Sequence, residues 1–390
     1  MSKRQWLTGD PVPTFTGRCS TNGPFQFDAA AGRYVVLCFF GSSLIEKNKR
    51  ALEFLMSHQD FFDDDNACLF GVSVDIMDEK QGRVSQRIPG VRFYWDSDYT
   101  ISRLYEAIDA GPTTPGEAFA YESFTLVLDP QLRVLAKISL RNLEHHNAMF
   151  SDIVAKLPPV ATHGGGIVPA PVLVLPRVFE PEFCRRLIDI YKAEGGVESG
   201  FMRQVDGKTV GVLDSTYKKR KDCTIADSEI RKGIRIRMKR RLYPEIEKAF
   251  QFRATQMERY LVACYDSASG GYFRPHRDNT TKATEHRKFA CTINLNAEEY
   301  EGGELRFPEF GMQTYRAPTG GAVIFSCSLL HEATPVTRGE RYAFLPFIHD
   351  DASAELRIKN EVFLAEGMIR ENEGANPEPS ASPHAVSSPR

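Results

Sequence analysis

The chain has 390 residues, of which 42% are hydrophobic and 26% are charged, and its formal net charge at pH 7 is −2. This composition is typical of a soluble globular protein, and the length favours two domains. The balanced charge argues against general attraction to nucleic acid or to a membrane surface.

Strand and helix patterns alternate through the first part of the chain. Continuous apolar runs predict buried strands, and apolar residues at helical spacing predict helices between them. The predicted strands are residues 34–40, 67–74, 124–128 and 134–138, and the predicted helices are residues 46–57, 99–108 and 143–157. This alternation predicts an α/β fold with a central sheet for residues 1–157.

The same part of the chain resembles the peroxiredoxins, which have a thioredoxin fold. The segments that carry the resemblance are GDPVPTFT, VVLCFFGSS, FGVSVD, FYWDSDYTISRLYEAI and FTLVLDP. Peroxiredoxins need a thiolate at the start of the helix after the first core strand, where backbone dipoles lower its pKa. Residues 41–45 form that turn here and contain no cysteine, whereas Cys38 lies inside the strand. We therefore expect Cys38 to be a packing residue and the domain to lack the peroxidatic cysteine.

Residues 158–171 are rich in proline and glycine without periodicity, which predicts a linker before a second domain at residues 172–370. That domain begins with a predicted strand at 172–175 and a helix at 180–194. A hairpin around Asp206-Gly207 and a loop follow within residues 200–221. Arg203, Asp214 and Lys218 in this segment are candidates for substrate contact, although the pattern favours a solvated loop for each of them.

A long helical stretch is predicted for residues 227–250. Its apolar residues Ile230, Ile234, Met238 and Leu242 recur at a spacing of four, which predicts a helix packed against a sheet. The basic residues around this stretch favour a solvated cationic face, or attraction to an acidic substrate, over nucleic-acid binding, since no nucleic-acid motif accompanies them.

Short apolar runs broken by Gly-Gly, proline and polar clusters fill residues 257–350. They include GGYFRPHRDN, FACTINLN, EGGELRFPEFG, GGAVIFSCSLLHEATPV and RGERYAFLPFI. This pattern predicts successive antiparallel strands of a closed or sandwiched sheet. His276 and Asp278 are two residues apart, so a strand would project both from one face, and His331 begins a later strand. Two imidazoles and one carboxylate form the ligand set that suits non-haem Fe(II).

The segment resembles the double-stranded β-helix (jelly roll) of 2-oxoglutarate/Fe(II) dioxygenases, in their prolyl 4-hydroxylase-like branch. The order His-x-Asp, EGGEL, His and a basic residue ten positions later carries the resemblance. It implies that His276, Asp278 and His331 bind Fe(II) and that Arg341 binds the distal carboxylate of 2-oxoglutarate. The tyrosine that relatives often add to that carboxylate is replaced by Asn294, and Tyr265 is the alternative partner.

The resemblance also implies the reaction. We expect hydroxylation of an unactivated C–H bond in an amino-acid-like or peptidyl substrate, with succinate and CO₂ as co-products and ascorbate as a further cofactor. His286, in the loop after Asp278, is a weaker candidate for a ligand or acid/base role than for an ordinary loop histidine. The competing hypothesis is a non-catalytic 2-oxoglutarate or oxygen sensor, or an interaction protein.

The remaining expectations concern the compartment and assembly. Residues 371–390 are polar and rich in proline and serine, which predicts a disordered tail. The eight scattered cysteines, with no Cys-x-x-Cys, favour a reducing cytoplasm, and the first residues lack the apolar core of a signal peptide. The N-terminal domain is expected to serve as a scaffold for homodimerisation, substrate presentation or partner binding.

Overall fold

A seven-stranded mixed sheet forms the N-terminal part of the computed structural model, which describes residues 5–21, 23–108 and 120–365. Its strands are β1 (Thr16–Cys19), β2 (Gly23–Gln26), β3 (Tyr34–Gly41), β4 (Ala67–Ser73), β5 (Val91–Trp95), β6 (Phe124–Leu128) and β7 (Val134–Ser139). Its helices are α1 (Glu46–Ser57), α2 (Ile76–Lys80), α3 (Thr100–Leu104) and α4 (Leu143–Lys156). The order of the strands is β2-β1-β5-β4-β3-β6-β7.

Strand β3 lies at the centre of this sheet and is buried on both faces. It runs parallel to β4 and antiparallel to β6. Val35, Leu37 and Phe39 pack into one core, and the alternate residues Val36 and Cys38 pack into the other, beneath α1 and α4. A strand covered on both faces reads as a continuous apolar run, which is why the sequence predicted it. The topology confirms the predicted α/β thioredoxin-like fold.

The helix predicted for residues 99–108 is only partly correct, because α3 ends at Leu104. Glu106 has φ of 58°, which is outside the right-handed helical region, and Ile108 instead forms a bridge with Tyr121.

The segment at residues 158–171, between the two parts of the chain, contacts the folded protein. Val160 and Ala170 are buried, and the backbone N–H of Ala170 donates to the Tyr315 hydroxyl at 2.7 Å.

The C-terminal part is built from antiparallel strands and supporting helices. Its first strands are β8 (Leu173–Leu175), β9 (Val197–Glu198), β10 (Phe201–Val205), β11 (Lys208–Val212), β12 (Lys218–Lys219), β13 (Lys221–Thr224), β14 (Gln256–Glu258), β15 (Leu261–Asp266) and β16 (Tyr272–His276). The later ones are β17 (Phe289–Asn294), β18 (Glu301–Gly302), β19 (Leu305–Arg306), β20 (Thr314–Tyr315), β21 (Ala322–Ser326), β22 (His331–Ala333), β23 (Val336–Arg338), β24 (Glu340–Phe344) and β25 (Phe347–His349). The helices are α5 (Pro181–Glu194), α6 (Ser228–Arg237), α7 (Tyr243–Phe250) and α8 (Asp351–Lys359).

Two sheets make up the core of this part. The five-stranded sheet has the order β12-β16-β22-β19-β20. The larger sheet contains β14-β25-β17-β24-β15-β13-β9, and in addition β21 pairs with β17 and β8 pairs with β21. Apolar residues of β15 in the larger sheet pack with residues of β16 and β22 in the smaller one, so the two sheets face each other. This arrangement confirms the predicted double-stranded β-helix. The other face of the larger sheet is covered by α5, α6 and α7.

Two predicted elements are interrupted. The helical stretch at 227–250 contains a π-helical segment at Met238–Leu242 between α6 and α7, although the predicted apolar stripe is buried throughout. The strand predicted for residues 257–265 is divided into β14 and β15, because Arg259 has φ of 70°.

The predicted domain boundaries stay predictions, and the tail at residues 371–390 lies outside the described residues. Within the described part of the chain, every helix is too short or too polar to cross a bilayer.

Candidate active site

His276, Asp278 and His331 converge at one end of the five-stranded sheet. His276 ends β16 and pairs with His331, which begins the neighbouring strand β22. Asp278 lies just beyond the end of β16, where its backbone N–H donates to the Cys327 carbonyl at 3.0 Å. Strand pairing therefore brings together residues that are 53 or more positions apart in the sequence.

The ligand atoms of this trio face one another. The Asp278 carboxylate oxygens lie 3.6 Å from His276 Nε2 and 3.3 Å from His331 Nε2, and all three groups offer ligand atoms within 4.8 Å of one another. Ligands bonded at about 2.1 Å and at right angles to each other on one metal ion would be about 3 Å apart. The spacing therefore fits three ligands on one face of a small cation.

Backbone contacts fix the orientation of both imidazoles. His276 Nδ1 lies 2.7 Å from the Arg274 carbonyl oxygen, and His331 Nδ1 lies 3.0 Å from the Leu329 carbonyl oxygen. A carbonyl only accepts hydrogen bonds, so each Nδ1 carries the proton and each Nε2 keeps a free lone pair. This is the usual second contact of a metal-binding histidine.

The charges of the trio also suit a cation. Burial, reinforced by the neighbouring His331, lowers the pKa of His276 to about 3, so its imidazole is neutral at physiological pH. Burial opposes ionisation of Asp278, but the two imidazoles, His331 first, outweigh it and hold the pKa of this carboxyl well below its usual value. The ionised Asp278 carboxylate therefore brings a negative charge to the trio, which suits a cation.

Arg341 offers unpaired donors in the facing sheet. It lies on β24, its side chain is among the largest that are fully buried, and its Nε and Nη1 have no hydrogen-bond partner among the described residues. Leaving buried guanidinium donors unpaired is costly, so an arrangement of this kind fits an anion that binds there. The Tyr265 side chain on the adjacent β15 lies beneath it, with the Arg341 Cζ atom 4.9 Å from the ring centroid.

A second charged cluster lies on the other side of Tyr265. Arg220 Nη1 is 3.4 Å from the Tyr265 hydroxyl, and Arg220 Nη2 donates to the Asp222 carboxylate at 2.6 Å. Lys218 is buried rather than solvated, which corrects the loop interpretation; its Nζ donates to Ser199 Oγ at 2.7 Å. Burial lowers the pKa of Lys218 well below its usual value. The alternation of Lys218, Arg220 and Asp222 in the sequence was the signal for a strand with one charged buried face.

One cavity of about 670 Å³ joins these groups. It is lined by the trio of His276, Asp278 and His331, by Arg341 and Tyr265, and by the cluster of Lys218, Arg220 and Asp222. The hairpin of β10 and β11 and the β2 region of the N-terminal part also contribute to its wall. The cavity is therefore a cleft between the two parts of the chain, with the trio inside it.

The other candidate residues lie in different settings. Asn294 does not line this cavity; its side-chain amide donates to the Ala317 carbonyl at 2.7 Å. His286 is buried with Nε2 3.0 Å from Glu258, so it is not an ordinary loop histidine, and it does not join the trio. Arg203 lines the cavity, whereas the Asp214 carboxylate accepts hydrogen bonds from Thr216 and does not line it.

Cys38 lies in the core beneath α1 and α4. Its side chain is fully buried, and this burial raises the pKa of the thiol to about 12. The turn after β3 contains Ser42 and Ser43, which hydrogen-bond to Asp75 and Asp78. The structure therefore agrees with the expectation that Cys38 is a packing residue.

Comparisons with known proteins agree with this geometry. Residues 260–349 match the family model of the 2OG-Fe(II) oxygenase superfamily, where 2OG is 2-oxoglutarate. A PKHD-type hydroxylase from Synechococcus sp. is 34% identical over 125 residues, which are 28% of this chain and 55% of the relative. The chain thus spans about half the length of that relative.

Two solved structures show more distant likeness, one to each part of the chain. A prolyl-4-hydroxylase from Pseudomonas putida is 18% identical with a TM-score of 0.35, over 46% of this chain and 91% of the other. The peroxidoxin BcpB from Mycobacterium tuberculosis is 20% identical with a TM-score of 0.33, over 39% and 99%. The family match includes all three residues of the trio. It implies Fe(II) as cofactor and 2-oxoglutarate as cosubstrate. Residues 260–349 therefore belong to a 2OG-Fe(II) oxygenase domain.

Proposed function

We propose that this chain is a 2-oxoglutarate- and Fe(II)-dependent dioxygenase that hydroxylates an unactivated C–H bond of an amino-acid-like or peptidyl substrate. The observation that carries the proposal is the combination, in one cavity, of the His276, Asp278 and His331 trio with the unpaired donors of Arg341. A ligand set of two histidines and one carboxylate suits Fe(II) and leaves coordination positions for cosubstrate and O₂.

The trio would hold the metal ion. His276 and His331 would contribute Nε2, since each Nδ1 is committed to a backbone carbonyl, and Asp278 would contribute a carboxylate oxygen. When bound, Fe(II) and 2-oxoglutarate supply the oxidising chemistry, with succinate and CO₂ as co-products. The protein holds both histidines on two paired strands, and Asp278 closely follows the first of these strands, so rigid elements set the spacing of the ligands.

Arg341 would bind the distal carboxylate of 2-oxoglutarate. A guanidinium presents a planar pair of donors that matches a carboxylate, and burial strengthens that contact. Tyr265 supports the guanidinium through its ring face, and its hydroxyl is turned towards Arg220. Together these side chains would orient the cosubstrate and keep water from its anionic end.

The substrate would occupy the outer part of the cleft. A cavity of about 670 Å³ lies within the range of roughly 300–1,000 Å³ that holds drug-sized ligands, so it has room for more than a small dicarboxylate. Aromatic side chains of Phe25, Phe201 and Phe273 and the polar side chains of Arg203 and Gln204 line it. This mixture suits a molecule with apolar carbon and polar backbone groups, such as an amino acid or a peptide.

The proposal is tested by succinate release and O₂ uptake from the full chain supplied with Fe(II) and 2-oxoglutarate, with panels of free amino acids and short peptides. We expect a productive substrate to stimulate both signals, and His276→Ala to abolish them. Lys282→Ala, which changes an exposed lysine, is the matched control and should behave as the wild type. Binding of 2-oxoglutarate without succinate release under any condition would contradict catalysis and favour a non-catalytic sensor.

A further inference from the structure

Both segments that carry the trio touch the N-terminal part of the chain. Arg277 lies between His276 and Asp278, and its Nε donates to the Asp28 carboxylate at 2.5 Å. Leu330, which precedes His331, is 1% exposed and packs in the N-terminal core with Phe27 and Phe39. Each of the two segments that carry the proposed metal ligands therefore contacts the thioredoxin-like part through a residue next to a ligand, Arg277 in one segment and Leu330 in the other.

A single guanidinium connects these attachments. Arg277 donates to Glu309 with Nη2 at 2.9 Å and with Nη1 at 3.2 Å, and Nη1 also donates to the Ser328 carbonyl. Glu309 in turn accepts from the backbone N–H of Leu330 at 3.1 Å. The network thus runs from Asp28 through Arg277 and Glu309 to the residue before His331.

The turn that contains Glu309 is itself pressed against the N-terminal part. Gly32 has φ of 89°, and a Cβ atom there would come within 2.4 Å of Pro308 Cβ. Only glycine allows the two segments to approach so closely in this backbone conformation. The contact leaves the Glu309 turn little freedom to shift relative to Asp28.

The Asp28 carboxylate is oriented for this interface. Its side chain is 4% exposed, its Oδ2 accepts from Arg277, and its Oδ1 has no hydrogen-bond partner among the described residues. Burying a carboxylate is unfavourable unless it is paired, and Asp28 pairs with Arg277 of the C-terminal part. The ion pair with Arg277 therefore offsets the cost of burying the Asp28 carboxylate.

We propose that Asp28 is a positioning residue for the metal centre: acting through Arg277, the N-terminal domain fixes the spacing between the two strand ends that carry the metal ligands. The inference rests on the proposed function for the identity of the bound ion. It gives the thioredoxin-like domain a role that needs no thiol, since the domain serves as a rigid support for the oxygenase site. The same domain also supplies Phe25 and Gln26 to the cavity wall.

The test is a titration of the full chain, without 2-oxoglutarate, with Mn(II), followed by the electron paramagnetic resonance signal of free and bound ion. Asp28→Asn keeps the volume but removes the charge, and Arg277→Gln removes the contact with Asp28 together with those to Glu309 and Ser328. Asp64→Asn is the matched control, because Asp64 pairs with Arg92 at 2.6 and 2.7 Å within the N-terminal part. Circular dichroism follows the fold of every variant, and Asp28→Glu tests rescue.

We expect Asp28→Asn and Arg277→Gln each to weaken Mn(II) binding by about tenfold, which is the range for residues that orient metal ligands. The double variant should lose little more than Arg277→Gln alone, since Asp28 acts through Arg277. Asp64→Asn should bind as the wild type, and Asp28→Glu should recover part of the affinity.

Two results would overturn the inference alone, and a third would overturn it together with the proposed metal centre. Wild-type affinity in folded Asp28→Asn would show that Asp28 does not position the site, and fully additive losses in the double variant would show that the two residues act independently. Failure of the wild type to bind Mn(II) would overturn the proposed metal centre itself, and the inference with it. The first two results leave the proposed metal centre intact, so the failures are distinguishable.

Discussion

The guanidinium of Arg341 lies over the ring of Tyr265, with its Cζ atom 4.9 Å from the ring centroid. The two residues face each other across paired strands, at the register Tyr265 with Arg341. This pairing holds the guanidinium inside the cavity while two of its nitrogens keep no hydrogen-bond partner among the described residues. A buried cation that has no carboxylate partner within the described part of the chain is suited to bind an anion.

Arg341→Gln is expected to weaken 2-oxoglutarate binding by about 10–100-fold, because a charge-assisted pair of hydrogen bonds is lost. Isothermal titration of the Mn(II)-loaded protein measures this affinity. Arg338→Gln is the control, since Arg338 pairs with Glu301 at the surface and its side chain is 64% exposed. Equal affinities of the Arg341 and Arg338 variants would exclude Arg341 as the carboxylate partner.

Gly303→Ala tests whether the close approach of the Gly303 backbone to the Arg341 side chain is needed for 2-oxoglutarate binding. Gly303 has φ of 64°, and a Cβ atom there would lie 3.0 Å from Arg341 Cδ and 2.7 Å from Val336 Cγ2. Gly270 has nearly the same φ, 65°, but has open space around it. Both alanine variants should lose about 1–2 kcal/mol of unfolding free energy from the backbone conformation. Only Gly303→Ala should also weaken 2-oxoglutarate binding; the same affinity in both variants would contradict the role of this close approach.

Asp222→Asn is expected to destabilise the protein at pH 7 by about 3–5 kcal/mol, because Arg220 and Lys218 would stay buried without their carboxylate. Burial opposes ionisation of Asp222, but Arg220 and then Lys218 outweigh it and lower its pKa to about 2. The unfolded value is about 3.9. A lowered pKa stabilises the fold above the unfolded value, and this contribution is lost as pH falls towards 2.

The difference in unfolding free energy between wild type and Asp222→Asn should therefore be constant from pH 7 to about 5 and shrink below about 4. Urea denaturation at a series of pH values measures it. Asp214→Asn, which removes a turn carboxylate that accepts hydrogen bonds from Thr216, is the control and should show a much smaller effect. A difference that does not change with pH down to 3 would contradict the assigned pKa of Asp222.

Cys38→Ser should leave peroxide consumption unchanged, because the thiol is buried and its pKa is raised to about 12, so hardly any thiolate forms. A coupled peroxide assay and thiol alkylation of the native protein measure the two properties. We expect no alkylation of Cys38 before unfolding. Loss of peroxide turnover in the serine variant would restore a redox role for this residue.

The sequence predicted those features that depend on local pattern. Continuous apolar runs indicated β3 and β4 because both faces of these strands are buried, and α1 has the predicted bounds, Glu46–Ser57. The trio and Arg341 were found through an ordered motif whose members lie on adjacent or facing strands. Resemblance contributed most here, since the periodicity alone leaves the pairing of β16 with β22 open.

Features that depend on distant contacts were missed. The pairing of Asp28 with Arg277 joins residues 249 positions apart, and nothing in either local segment indicates the other. Lys218 was interpreted as a solvated loop residue, because its burial depends on Ser199 and on the strand pairing of β12 with β16. The partner of His286, Glu258, lies 28 positions away across a chain reversal.

The most direct test of the account is the anomalous diffraction of Mn(II) in a crystal of the full chain grown with 2-oxoglutarate. The account predicts one strong peak between His276 Nε2, His331 Nε2 and the Asp278 carboxylate, with the distal carboxylate of 2-oxoglutarate on Arg341. A peak at other residues, or no peak at saturating Mn(II), would contradict it.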